Sequence, residues 1–399
     1  MKEQDKYEWG DGVFTLLSWF KKDKVKNARV LVVGAGALGN EVVKDLALFG
    51  VGHIYVVDFD RIELSNLTRS VLFREEDAYN HSFKAEIVAK RAMEINPQIK
   101  ATPIVGNLFS EVGFGLYRTV DVIIGCLDSR IARYQLNRLC MRAGKSWVDG
   151  SIENMTGSVQ VYTPGLSCYE CGLSRDEFNH IMVRTGCADL VNLQSSAGRV
   201  ATTPISASII GAIEVQEAMK IIHLDTESAA QFKTLQGKLL HYEGLTNSTH
   251  VFKFASWKNN CLAHERWEPI IEAADLSATQ TVRETLSMMK TLLGVEHVEI
   301  NMCNNKFIDR IVSDKPEKEF KVMIPESQLD NFISGNDELR KLRYVTTFHK
   351  SFFENIDTDF PYQDLTLQQI GIPLFDVLQV STEKGVFHVE LSADANLFQ

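Results

Sequence analysis

The chain has 399 residues, a formal net charge of -10, 45% apolar residues and 24% charged ones. This length predicts two or three domains with an ample core. The acidic balance argues against sequence-independent nucleic-acid binding, which needs a basic footprint, and against docking on an acidic membrane; every long apolar stretch is broken by charge, so no transmembrane span is expected.

The amino-terminal stretch MKEQDKYEWGDG is polar and acidic and does not read as a signal peptide. Seven cysteines without an export signal favour a reduced, cytoplasmic setting over a disulfide framework, and Cys126 and Cys140 fall in strand-like and helix-like core segments. After a segment 1–27, residues 29–33 (RVLVV) form a short β-branched run expected as a buried strand. GAGALG follows, then a helix through Phe49, a second strand at 53–57 ending before Asp58, and a helix from Phe83 to Ile95 that stops before Asn96-Pro97. Residues 101–105 and 121–125 are further strands. Asp128-Ser129 can cap the next helix, whose apolar stripe is Ala132, Leu136, Leu139, Cys140 and Ala143. Strands alternating with helices predict an α/β fold with a doubly wound, mainly parallel Rossmann-like sheet.

Beyond Gly150, residues 157–163 read as a strand, 172–200 as a long irregular polar loop, and 204–223 as a dense apolar helix. KLLHY and THVFKF are expected as a hairpin delivering Cys261 and His264. The zinc-bearing region ends near 267–278, so one domain is expected over 28–266. Residues 275–399 mix a helical piece (280–293) with short strands and read as a smaller α+β domain.

Gly34, Gly36 and Gly39 match G-x-G-x-x-G between a strand and a helix, where backbone amides can approach phosphate at the positive helix end. Asp58 closes the second strand, where a carboxylate can accept from ribose hydroxyls. Asn66, Arg69 and Lys84 follow. A triphosphate carries more charge than a dinucleotide, so an arginine, a lysine and Mg²⁺ become useful. Asp128, just past the 121–125 strand, is a plausible Mg²⁺ ligand. The plainer alternatives are solvated surface charges at Arg69 and Lys84 and a simple helix cap at Asp128.

Cys168 and Cys171 (CYEC) are answered by Cys261 and His264 (CLAH), and three thiolates with an imidazole at this spacing suit tetrahedral zinc. Four protein ligands leave no open position, so a structural role is expected. Cys187 is the thiol outside that set. Arg184 upstream favours its thiolate and Asp189 opposes it.

GAGALG, VVDFD, SNLTR, KAE, NP and the aspartate after the fourth strand, in this order, resemble the ThiF/MoeB and ubiquitin-activating superfamily over residues 28 to 265. LDSRIARYQLN (127–137) and SNLTRSVLFR (65–74) look like the catalytic subunits that activate ubiquitin-like proteins. The resemblance implies ATP contacts at Gly34, Gly36, Ala37, Gly39, Asp58, Ser65, Asn66, Arg69, Lys84, Asp128 and Ser129, and zinc at Cys168, Cys171, Cys261 and His264. It places the catalytic thiol of thioester-forming members at Cys187. It implies an ATP-dependent enzyme that adenylates the carboxyl terminus of a ubiquitin-like protein ending in glycine, captures it as a thioester and passes it to a conjugating enzyme. A homodimer is implied on the same ground.

Two positions depart from the family. Its last zinc ligand is commonly a cysteine, here His264, which zinc accepts. Relatives often carry an amino-terminal arginine that reaches ATP in the partner subunit; no arginine precedes Arg29 here, leaving Lys21 or Lys22 as substitutes. LTLQQIGIPLFDVLQVS (365–381) looks like the end of a ubiquitin-fold domain, which in relatives recruits the conjugating enzyme; a packing or dimerisation domain is the alternative. Three other functions compete: a sulfur-carrier adenylyltransferase of the thiamine or molybdopterin type, a non-catalytic scaffold subunit, and a nicotinamide-dependent oxidoreductase. The last explains the glycine loop and Asp58 but not Arg69, Lys84, Asp128 and the zinc set together.

Overall fold

Buried β-branched runs organise the chain. A computed structural model describes residues 9, 12–185, 201–302, 305–343 and 345–398. The chain divides into two units: Met1–Leu108 with Tyr117–Arg266, and Phe109–Leu116 with Trp267–Gln399.

In the first unit, α1 (Lys22–Asn27) leads into β1 (Arg29–Val33), α2 (Ala37–Phe49), β2 (His53–Val57), α3 (Glu75–Tyr79), α4 (Lys84–Ile95) and β3 (Lys100–Ile104). Then come α5 (Phe114–Thr119), of which only Tyr117–Thr119 belongs to this unit, β4 (Val122–Gly125), α6 (Arg130–Ala143), β5 (Trp147–Glu153) and β6 (Thr156–Tyr162). The unit finishes with α7 (Tyr169–Gly172), α8 (Arg175–Thr185), α9 (Pro204–Ile222), β7 (Lys238–Glu243) and β8 (Ser248–Lys253). These strands form one eight-stranded sheet in the order β3-β2-β1-β4-β5-β6-β7-β8. The neighbours from β3 to β5 pair in parallel, and those from β5 to β8 antiparallel. The fold is thus the Rossmann-like, mainly parallel α/β sheet expected. All five residues of β2 are buried, as a parallel strand covered on both faces requires. α2, α4 and α9 supply Val42, Leu46, Val88, Ala92, Val215 and Met219 to the core over β1, β2 and β4.

Two local features differ from the sequence expectation. Arg175–Thr185, expected within an irregular loop, is helical. Its start is fixed by a reciprocal pair in which the Ser174 amide donates to Glu177 Oε2 at 3.0 Å and the Glu177 amide to Ser174 Oγ at 3.2 Å. Ile181 is buried and Phe178 meets the ring edge of Tyr134. β5 was not anticipated, because Asp149 and Gly150 interrupt its apolar pattern. The proposed catalytic Cys187 lies outside the described residues.

In the second unit, β9 (Ile270–Ala273), α10 (Val282–Leu293), β10 (Glu299–Asn301), β11 (Phe307–Asp314), β12 (Glu317–Pro325), α11 (Leu329–Gly335), α12 (Asp337–Leu342), β13 (Phe348–Phe353), β14 (Asn355–Ile356), β15 (Val377–Thr382) and β16 (Gly385–Leu391) follow in order. They build a five-stranded sheet, β14-β10-β15-β16-β9, and a three-stranded sheet, β12-β11-β13. α10 opens with a Thr281–Glu284 capping box and closes at Gly294 in the left-handed region. Its Leu286 and Met289 pack with Ile300, Val380 and Val389.

The segment 109–116 is built into this unit although it arises between β3 and β4. The Phe114 amide donates to Asp376 Oδ1 at 2.8 Å and the Gly115 amide to the Phe375 carbonyl at 2.9 Å. A Cβ at Gly113 would overlap the Leu374 carbonyl, so only glycine permits this approach.

Candidate functional site

β1 is flanked by β2 on one side and β4 on the other, and successive connections run in opposite directions from it. This is the switch point of a doubly wound sheet, where ligands bind beyond the carboxyl ends of the strands. Gly34 follows β1, Asp58 follows β2, and Asp128 lies three residues past β4.

Each glycine of the turn has a separate reason. Gly34 has φ +100°, and a Cβ there would overlap the Cys126 carbonyl. A Cβ on Gly39 would overlap the Gly34 carbonyl, so this position lets α2 pack on the turn. Nothing lies within 4 Å of a Cβ built on Gly36, which leaves its face open. Gly36 is also the N-cap of α2, and no side chain caps that helix end. Ala37 opens the helix beside it.

Asp58 braces this turn. Its Oδ2 accepts the Ala35 amide at 2.7 Å and its Oδ1 the Asp60 amide at 2.7 Å. Burial pushes the Asp58 carboxyl up, and Lys84, close enough to act on it, pulls it back. Lys84 starts α4 and pairs with Asp60 at 2.7 Å. Arg69 is half-buried and donates to the Ser65 carbonyl at 2.9 Å. Ser65 Oγ donates to Glu63, and Asn66 Oδ1 accepts the Glu63 amide at 3.0 Å. Asp128 is exposed; Ser129, not Asp128, caps α6, accepting the Ala132 amide at 3.4 Å. Lys21, a candidate for the absent amino-terminal arginine, is committed to Glu227 at 2.6 Å.

Several residues that hold the site escaped the sequence analysis. Buried Asn40 donates to the Ala35 and Gly36 carbonyls, both at 2.9 Å, and its Oδ1 accepts the Leu72 amide at 2.9 Å. It thereby ties the glycine turn to the segment bearing Ser65, Asn66 and Arg69. Arg133 on α6 grips Asp149 at 2.8 Å and the Gly150 carbonyl at 3.0 Å. Burial raises the Asp149 carboxyl, with Arg133 opposing. Glu214 is fully buried with its carboxyl against Gly150, and burial, then Asp149, pushes it well above the usual carboxylate range. Desolvation likewise raises the thiols of half-buried Cys126 and buried Cys140 well above the usual range, which disfavours the thiolate at both.

The four expected metal ligands come together, their ligand atoms all within 4.8 Å of one another. Cys168 Sγ lies 3.9 Å from Cys171 Sγ and 3.7 Å from Cys261 Sγ, and His264 Nε2 lies 3.4 Å from Cys171 Sγ. A tetrahedral ion with Zn–S near 2.3 Å and Zn–N near 2.05 Å has S–S edges of about 3.8 Å and S–N edges of about 3.6 Å. The cluster therefore fits zinc in donor type and in size. Cys168 and Cys171 sit on the α7 turn, and Trp257 stacks on His264 with centroids 3.6 Å apart. Among the described residues, the cysteines are free.

Residues 14–263 match the ThiF family. The chain belongs to that family. This ThiF chain is 34% identical over 157 residues to the SUMO-activating enzyme subunit uba-2 of Caenorhabditis elegans, covering 39% of the chain and 27% of the relative. It is 32% identical over 248 residues to a probable molybdopterin-synthase adenylyltransferase of Pyropia yezoensis, covering 62% and 60%. It is 31% identical over 233 residues to a sulfur carrier protein adenylyltransferase of Thermus thermophilus, covering 57% and 79%. The matches thus span from about a quarter to four-fifths of these curated relatives. Among the described residues, no helix is long and apolar enough to cross a membrane.

Proposed function

We propose that this ThiF-family chain uses ATP to adenylylate the carboxyl terminus of a small glycine-ended protein of the ubiquitin-like class, and that Cys187 then takes the acyl group as a thioester. The observation that carries the first half is the open turn at Gly36, braced by Asp58 and lying at the sheet edge that also bears Lys84 and Asp128. Gly36, Ala37 and Gly39 offer backbone amides to the phosphates; Gly34, whose own amide donates to the Val57 carbonyl at 2.8 Å, shapes the turn they line, and Asp58, Ser65, Asn66 and Ser129 complete the nucleotide contacts.

A carboxylate is already a nucleophile at neutral pH, so no general base is needed. One carboxylate oxygen bonds to the α-phosphorus. The bond from that phosphorus to the bridging oxygen breaks, and pyrophosphate leaves with the electron pair. Arg69 and Lys84 stabilise the charge that develops; Lys84 exchanges Asp60 for phosphate to do so. Asp128 would hold Mg²⁺, which when bound neutralises phosphate oxygens. In the second step the Cys187 thiolate bonds to the acyl carbon, the C–O bond to AMP breaks, and AMP leaves. Cys168, Cys171, Cys261 and His264 would hold zinc in a structural role, since four protein ligands leave no open position.

We take the working enzyme to be a homodimer that hands its thioester to a conjugating enzyme, with the second unit recruiting that acceptor. A second reading keeps the adenylation and omits the conjugation, as in sulfur-carrier adenylyltransferases. It is favoured by the longer span of identity with the molybdopterin-synthase and sulfur carrier protein adenylyltransferases than with the SUMO-activating subunit. Incubation with ATP, Mg²⁺ and glycine-ended carriers, followed by intact-protein mass measurement, separates them. A reductant-labile adduct in the wild type and not in Cys187→Ala supports the thioester. Adenylylated carrier without an adduct supports the sulfur-carrier reading, and neither product defeats both.

A further inference from the structure

Arg133 lies in the first turn of α6, and its side chain is 11% exposed, so its bonds are shielded from water. Its guanidinium spans three acceptor groups. Nε donates to both oxygens of the Asp149 carboxylate, at 2.8 and 3.1 Å. Nη2 donates to the Gly150 carbonyl at 3.0 Å and to the Leu127 carbonyl. Asp149 and Gly150 belong to β5, whereas Leu127 lies in the turn between β4 and α6. Because the guanidinium is planar and rigid, its grip on Asp149 and Gly150 fixes the direction in which Nη2 meets Leu127. The start of that turn is held separately: the Cys126 amide donates to the Val33 carbonyl at 2.8 Å, and the Cys126 carbonyl packs against Gly34. Asp128 comes next and is exposed. Its place at the nucleotide edge is therefore set by the backbone on either side, Leu127 held by Arg133 and Ser129 capping α6.

We propose that Arg133 is a positioning residue for adenylation: it transmits the geometry of β5 to the Leu127 carbonyl and so holds the Asp128 carboxylate at the nucleotide edge. The inference rests on the adenylation reading above, in which Asp128 would hold Mg²⁺. A lysine at this position keeps a positive charge facing Asp149, but a single ammonium does not reproduce the planar fork that reaches a carboxylate and two carbonyls at once. Without that fork the Leu127 carbonyl is free to turn, and Asp128 turns with it. Arg133 makes no contact with the amides at Gly36 and Ala37 or with the Asp58 brace, so the loss is confined to what Asp128 does.

The test uses the full chain, ATP and Mg²⁺. Calorimetry gives the ATP affinity with and without Mg²⁺, and circular dichroism checks folding. Arg133→Lys is expected to bind ATP without Mg²⁺ as wild type does, and to lose roughly tenfold or more of the tightening that Mg²⁺ gives. In an Asp128→Ala chain the same substitution should change neither affinity, because the group it positions is gone. A merely structural arginine would weaken binding with and without Mg²⁺ alike, and in both backgrounds. That result overturns the proposal, as does wild-type affinity throughout. Asp149→Asn keeps an acceptor for Nε and removes the charge that orients it. It should lower the Mg²⁺-dependent affinity in the same direction, and an unshifted value in the folded variant overturns the proposal even if Arg133→Lys fails to fold. A wild-type chain whose ATP affinity does not respond to Mg²⁺ defeats the Asp128 assignment itself and this inference with it.

Discussion

Asp58 Oδ2 accepts the Ala35 amide at 2.7 Å, so the carboxylate that closes β2 holds the glycine turn that closes β1. A residue placed by sequence pattern as a ribose ligand thus also sets the shape of the phosphate loop. Asp58→Ala removes both functions. The loss of charge-assisted bonds worth about 1.5–3 kcal/mol predicts ATP binding weakened roughly 10–100-fold, measured by calorimetry. Unchanged affinity would remove Asp58 from the site.

Two of the turn's glycines predict different outcomes. Gly36→Ala meets open space and has ordinary backbone angles, so stability should change by no more than about 0.5 kcal/mol. Its methyl would stand where phosphate must approach, and ATP affinity should fall on the order of tenfold or more. Gly39→Ala collides with the Gly34 carbonyl and should cost about 1–3 kcal/mol of stability even without nucleotide. Thermal melts with and without ATP distinguish these. Equal melts and equal ATP shifts for both variants would contradict the assignment.

Most of the strands and helices around the glycine turn were legible because their signals are local. RVLVV and HIYVV are continuous β-branched runs, the glycine spacing brackets a strand–helix turn, and Asp128-Ser129 marks a helix start, with Ser129 the cap. The helix α8 carried a readable signal too, Ser174 with Glu177 three residues on, but its polar composition masked it. What stayed hidden depends on distant partners. Asn40 acts through Leu72, Arg133 through Asp149, and the segment 109–116 through Leu374–Asp376; no periodicity within these segments names such contacts. Residues 109–116 also make the first unit's chain dependent on residues 267–399. Removing those residues would strip the partners from buried Val112, Phe114 and Leu116.

Asp376 predicts a pH dependence. It is half-buried, and desolvation pushes its carboxyl from 3.8 up to about 6, against hydrogen bonds from Phe114 and Val377. A raised folded-state value means the proton is bound more tightly in the native chain. The resulting stabilisation is complete below 3.8 and is lost as pH rises through about 6. Asp376→Asn should flatten the stability slope across that window, read by denaturant titration at several pH values. An unaltered slope would show that Asp376 does not titrate there.

Zinc removal should lower stability, since the cluster links α7 to the segment carrying Cys261 and His264. Chelation is expected to drop the melting temperature by several degrees, and stoichiometric zinc to restore it. A melt insensitive to chelator in a chain that contained zinc would contradict a structural role.

ATP–pyrophosphate exchange, driven by a glycine-ended carrier, tests the central claim most directly. Wild type and Cys187→Ala should both exchange, because adenylation precedes thiol capture, while Asp128→Ala should lose exchange by orders of magnitude. Wild-type exchange in Asp128→Ala, or tight binding of NAD in place of ATP with Mg²⁺, would contradict the account.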